Sequence, residues 1–207
     1  MSGKPRFITL EGGEGVGKST QVRALAAALR ERGLAVIETR EPGGSEGAEK
    51  IRKLLLDPHE EWSVETEALL FAAARADHVE KTIKPALEQG SWVLSDRFLD
   101  SSLAYQGGAG GLGIERVGTV YRFACGDFLP DRTLVLIHDE GHSRALERDH
   151  NNSDRIGGGP AQYHQQVETA FRIVAAEQPG RVRLIDASGS PEEVTQRLLG
   201  AIEDLLT

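Results

Sequence analysis

The sequence is short of sulfur and of positive charge. Cys125 is the only cysteine, which excludes an intramolecular disulfide and a zinc site built from several thiolates, and it reads as a small apolar side chain. Lys and Arg number 24 against 32 Asp and Glu, a formal net charge of −8. That balance opposes the sequence-independent attraction on which nucleic-acid binders depend, so no nucleic-acid partner is expected and any basic residues that meet phosphate must be locally concentrated. No apolar run approaches the ~18 residues of a membrane span, and the first residues lead into only a short apolar run; both features predict a cytoplasmic protein with no membrane partner. With 207 residues, 39% hydrophobic and 27% charged, the chain has the size and composition of one ordered globular domain, 1–207.

What is present is alternation of strand and helix signals. Short β-prone runs are expected at 7–10, 34–39, 92–95, 133–137 and 182–185. Helical spacing of apolar residues marks 19–32, 46–56, 114–125, 143–148, 161–177 and a last helix from Pro191. A longer helical pattern covers 64–88, with Pro85 expected to kink or restart it, and a glycine-rich break is expected at 107–113. Five strands separated by helices, without hairpin signals, predict an α/β fold with a parallel sheet covered on both faces, because parallel strands need crossover connections.

Between the first strand and the first helix stands Gly12-Gly13-Glu14-Gly15-Val16-Gly17-Lys18-Ser19. It fits G-x-x-x-x-G-K-[ST] in the strand–loop–helix context that the P-loop requires. Glycines there let successive backbone N–H groups turn toward a polyphosphate, which rests at the positive end of the helix dipole. Lys18 adds a cation for the β- and γ-phosphates, and the Ser19 hydroxyl is a ligand for Mg²⁺. The motif implies ATP as phosphoryl donor.

Three further groups fall where such chemistry could use them. Asp96, at the end of the third strand, is expected on the same rim as the P-loop, where a carboxylate can hold Mg²⁺ or its waters. Arg97 beside it can fork onto phosphate oxygens, although such a pair alone is commonly a surface ion pair. Arg40, after the second strand, is either a phosphate clamp on that rim or an exposed turn residue. Phe71, Arg75 and His78 share one helix face at i, i+4 and i+7, and Phe71 on that face can equally be a core residue.

These segments, with Thr39-Arg40-Glu41-Pro42-Gly43-Gly44, Leu70-Phe71-Ala72-Ala73-Ala74-Arg75, Ser101-Ser102-Leu103-Ala104-Tyr105-Gln106-Gly107, Gly126-Asp127-Phe128 and Asp154-Arg155-Ile156, resemble the thymidylate kinase family of P-loop nucleoside monophosphate kinases over nearly the whole chain. The resemblance implies a three-layer P-loop NTPase fold with a mobile lid, and transfer of the ATP γ-phosphoryl group to dTMP. It implies that Gly12 to Thr20 bind ATP, with Glu14 also approaching the acceptor's 3′-hydroxyl. Arg40 and Arg97 would hold the 5′-phosphate of dTMP. Phe71 would stack on thymine, Arg75 would read a base carbonyl, Ser102 and Gln106 would lie near the base edge, and Tyr105 would crowd the 2′ position. A homodimer is implied as well.

Members of the family bring an arginine to the transferring phosphoryl group from the P-loop or from a lid. Gly15 stands at the P-loop position here, so the lid, about 144–160, is expected to supply it, with Arg148 and Arg155 as catalytic candidates beside Lys18 and Arg97 and with Arg144 a third basic residue nearby. The chain departs from the family at Gly157-Gly158-Gly159, where glutamate usually follows Asp-Arg-Ile, and at Phe171, where tyrosine is common. Two competing readings remain at this point: a kinase of another nucleotide or nucleoside, and a nucleotide-dependent switch with no small acceptor.

Overall fold

Side-chain alternation along the first strand divides the molecule into two layers around one sheet. In the computed structural model, which describes residues 4–138 and 161–206, β1 (Phe7–Gly12) lies at the centre of a parallel sheet with β2 (Val36–Arg40), β3 (Trp92–Asp96), β4 (Arg132–Ile137) and β5 (Val182–Asp186) in the order β2-β3-β1-β4-β5. Successive strand residues point to opposite faces. Ile8 and Leu10 therefore join Trp92, Leu94, Leu134 and Leu136 in one core, while Phe7 joins Val93 and Val135 in the other.

The first core is closed by α1 (Lys18–Glu31), through Val22, Leu25 and Leu29, and by the C-terminal helix, Pro191–Ala201, through Val194 and Leu198. The second is covered by helices from the middle of the chain. Here α2 (Glu46–Leu56) packs on α3 (Val64–His78), and α3 packs on α6 (Ile114–Cys125); α7 (Ala161–Glu177) contributes Val167, Phe171 and Val174. The last helix is α8, and its start is fixed by a capping box in which Ser190 and Glu193 satisfy each other's backbone N–H groups. Helices 46–56, 114–125 and 161–177 have the limits expected from sequence.

The long helix bends its hydrogen-bond pattern rather than stopping. α3 passes into a π turn at Val79–Ile83 and then α4 (Lys84–Glu88). Pro85 has no N–H to return to the preceding turn, and the wider turn lies directly upstream of it.

The glycine-rich break expected at 107–113 is only half a break. A short α5 (Leu99–Ser102) continues as a π-helical segment, Leu103–Ala109, that takes in Gly107 and Gly108. The physical reason is packing: a Cβ on Gly108 would lie 2.5 Å from the Cβ of Ala170 on α7, so the glycine admits a close helix crossing instead of a turn. The expected helix at 143–148, and with it Arg144, Arg148 and Arg155, lies outside the described residues.

Candidate active site

The carboxyl rim of the sheet carries the site because β1, β2 and β3 all end there. Beyond β1, Gly12 adopts φ 134, and a Cβ on it would stand 2.4 Å from the carbonyl oxygen of Leu136. Only glycine lets the P-loop start so close to β4. Val16 packs into the core behind the loop, and Gly17, at φ 92, begins α1.

A cleft of about 420 Å³ opens in front of this loop. Of the expected ATP-binding residues, Glu14, Gly15, Gly17, Lys18, Ser19 and Thr20 line it, whereas Gly12, Gly13 and Val16 form the turn behind. Arg40, Phe71, Asp96, Arg97, Ser102, Tyr105 and Gln106 line the same cleft. The structure thus brings the residues expected for the acceptor, Arg75 excepted, to the cavity that the P-loop faces.

Lys18 is buried, and its Nζ donates to the Gly13 carbonyl at 2.6 Å. Burial, reinforced by the Arg97 charge, pushes its ammonium down to about 8 against the pull of Glu14 and Asp96. Ser19 Oγ donates to Asp96 Oδ2 at 2.5 Å. That pair of hard oxygens fits a magnesium ion completed by phosphate and water, the ligand set this metal prefers.

Arg97 is the only non-glycine residue with positive φ, at 72°, among the described residues. This conformation costs about 1–2 kcal/mol for a side chain with a Cβ, so surrounding bonds must hold it. Its Nη1 donates to the Gly12 carbonyl and to Ser101 Oγ, both at 3.0 Å, its Nη2 pairs with Glu14, and the guanidinium lies 5.1 Å from the Tyr105 ring centroid. Burial disfavours the Glu14 carboxylate, but Arg97 and Lys18 outweigh it and hold the carboxyl below its usual range.

Of the other lining residues, Phe71 is half-buried on the wall, and Ser102, Tyr105 and Gln106 are buried. Gln106 Nε2 donates to Glu67 at 3.3 Å. Arg75 differs from its neighbours. It is 2% exposed and does not line the cleft, because its Nε donates to Glu41 at 2.7 Å and its Nη2 to the Phe98 carbonyl and Ser102. His78 also turns inward, with Nδ1 2.9 Å from Glu41 and Nε2 2.7 Å from Thr39. Arg40 is bound to Glu49 at 3.1 Å and stays largely exposed.

Sequence reasoning gave no role to Glu41, Glu11, Ser101 or Asp100. All four are buried; Glu41 and Ser101 line the cleft. Thr9 and Glu11 share the face of β1 that carries Phe7, and polar residues interrupting an apolar strand face were the available signal. Cys125 is half-buried, and burial raises its thiol to about 11, in keeping with an inert side chain.

A P-loop at the carboxyl edge of a parallel β2-β3-β1-β4-β5 sheet, with Arg40 and Arg97 lining the same cleft, defines a P-loop phosphotransferase. Residues 10–198 match the family described as thymidylate kinase. The thymidylate kinase of Rhizorhabdus wittichii is 58% identical over 205 residues, covering 97% of this chain and 98% of that protein. That of Symbiobacterium thermophilum is 48% identical over 202 residues, covering 97% and 94%. The crystal structure of thymidylate kinase from Ehrlichia chaffeensis superposes with a TM-score of 0.77 at 30% identity, over 96% of this chain and 98% of that one. The chain belongs to the thymidylate kinase family.

Proposed function

We propose that this chain transfers the γ-phosphoryl group of MgATP to dTMP, giving ADP and dTDP, with the residues of the single cleft in the roles their positions allow. The observation that carries the assignment of roles is the shared cavity: Lys18 and the P-loop, Phe71 and Tyr105, and Arg97 and Arg40 all line it.

The P-loop N–H groups and Lys18 hold the donor phosphates, the ammonium exchanging its Gly13 carbonyl for phosphate oxygen. A phosphate there favours the charged form of Lys18, opposing the depression caused by burial. Magnesium, held by Ser19 and Asp96, would supply neutralisation of phosphate charge. Arg97 reaches the acceptor phosphate from a guanidinium already fixed in direction. Arg40 joins it by leaving Glu49; an exposed ion pair of this kind is worth only ~0–1 kcal/mol, so a doubly charged phosphate displaces it. Phe71 stacks on the base, and Arg75, drawn out of the cleft wall by Glu41 and the Phe98 carbonyl, acts on the base edge through the Ser102 hydroxyl to which it donates. The acceptor phosphate is already ionised near neutral pH, so attack needs alignment and charge stabilisation rather than a general base.

The reading is tested by ADP formation from MgATP with dTMP, dUMP, UMP, thymidine or no acceptor, with dTDP identified by chromatography. Strong dTMP dependence is the expected result; equal hydrolysis without acceptor, or faster turnover of another nucleotide, would overturn it. Among the described residues no helix is long and apolar enough to cross a membrane, and we place the reaction in the cytoplasm. We further infer a homodimer, because adjacent helices α2, α3 and α6 expose Leu54, Leu69 and Phe123, the last 95% exposed. Sedimentation of wild type and Phe123→Asp reads this directly: a monomeric wild type would refute it.

A further inference from the structure

We propose that Glu11 and Ser101 form a buried positioning pair that aims Arg97 at the acceptor phosphate; the inference rests on the dTMP kinase reading above and adds to it. Glu11 is fully buried and does not line the cleft, so it cannot touch a substrate. It acts through what it holds.

Glu11 grips the strained residue from two sides. Its Oε1 accepts from the Phe98 N–H at 2.8 Å, immediately after Arg97 in the chain. Its Oε2 accepts from Ser101 Oγ at 2.5 Å, and Ser101 Oγ in turn accepts from Arg97 Nη1 at 3.0 Å. The first grip fixes the peptide that follows the positive φ of Arg97, and the second fixes the guanidinium. Two other bonds complete the clamp: Arg97 N to the Leu10 carbonyl at 2.9 Å and Ser95 Oγ to the Arg97 carbonyl at 2.7 Å.

The chemistry of the pair requires a group that only accepts, which Glu11 is once ionised, above the pH of about 8 to which burial raises it. Glu11 spends the one Ser101 hydrogen, so the Ser101 lone pairs face Arg97. An amide at position 11 that keeps the Phe98 N–H turns its N–H₂ toward Ser101 Oγ, which then takes two donors and no longer gives its hydrogen to position 11, so the charge-assisted bond that polarises Ser101 toward Arg97 is lost. The remaining charges around the pair are already engaged. Asp100 is held by Arg181 through two bonds of 2.7 Å and by Thr133 at 2.9 Å. Glu11 is thus the carboxylate of this cluster whose direct donors are a backbone amide and a hydroxyl.

The test is a double-mutant cycle on binding, which remains measurable when turnover is lost. Calorimetric titration at about pH 9, where Glu11 is ionised, with dTMP and separately with a non-hydrolysable ATP analogue, is carried out on wild type, Glu11→Gln, Ser101→Ala, Arg97→Ala and the two doubles containing Arg97→Ala. Glu11→Gln is expected to weaken dTMP about tenfold while holding the ATP analogue within about twofold, and to add less than about twofold when Arg97 is already Ala. A merely structural role would give the same loss in both backgrounds, or would weaken both ligands together; either result overturns the proposal. Ser101→Ala removes only the linking hydroxyl and carries the same cycle if Glu11→Gln fails to fold. Tight wild-type dTMP binding with an additive cycle sinks this inference alone, whereas a wild type that does not bind dTMP removes the substrate reading with it.

Discussion

Two buried glutamates flank the cleft, and they are held in opposite ways. Glu41 meets charge with charge: Arg75 donates at 2.7 Å and His78 stands at 2.9 Å, with both partners buried. Glu11 receives only an amide N–H and a hydroxyl, and burial, followed by the Asp100 charge, raises its carboxyl to about 8. The difference separates a charge that is matched where it lies from one kept in place for what it orients. A buried ion pair anchors Glu41, and a carboxyl with no direct ion-pair partner holds the turn that carries Arg97.

The strongest way to break this contrast is to remove Glu41. Glu41→Ala leaves the Arg75 guanidinium buried without its partner and should cost about 3–5 kcal/mol of stability, read from the urea midpoint. A loss below about 1 kcal/mol would mean that the pair holds little. Next comes Lys18→Ala, which should lower turnover by about 10²–10³-fold, as for loss of a transition-state donor, while leaving the urea midpoint nearly unchanged. Its ammonium is already disfavoured by burial, so removing it relieves as much as it takes away; normal turnover would end its assigned role.

The third test is a slope against pH. The folded-state pKa of Glu11, about 8, lies above its ordinary 4.5. Its contribution to stability is therefore complete below about pH 4.5 and is lost as pH rises through about 8. Glu11→Gln cannot ionise and lacks this slope, so the variant should gain stability relative to wild type between about pH 5 and pH 9. Parallel melting-temperature curves over that range would show that the carboxyl is not raised. Together with the dTMP cycle, a gain in stability alongside a loss of acceptor binding would separate the two glutamates completely.

Much of this was legible in the chain. The P-loop, Asp96, Arg97 and Arg40 announce themselves by type and by their places at strand ends, and α2 begins where Ser45 accepts from Ala48 N, a cap visible as a serine before the run. The inner faces of the strands follow from alternation alone. What local pattern could not give was long-range contact. Gly108 looks like a turn residue and is a packing residue, because the deciding atom belongs to Ala170 on another helix. Arg75 shares a helix face with Phe71, yet Glu41 from a distant loop draws it out of the cleft wall. Glu11 sits one residue before a motif that absorbs attention, and its partners come from the stretch just after β3, to which no element was assigned from sequence.

That segment has a consequence for how the chain tolerates changes in length. The π-helical stretch Leu103–Ala109 carries Tyr105 and Gln106 into the cleft, and such a stretch is an α-helix that has absorbed a surplus residue. Deleting one residue there would make the local backbone more regular. It would also turn every later side chain of the stretch by about a hundred degrees, carrying the sugar and base contacts proposed for Tyr105 and Gln106 out of the cleft. Among point changes in this chain, that deletion is one that would improve a helix by its own standards and leave an enzyme that no longer recognises what it should phosphorylate.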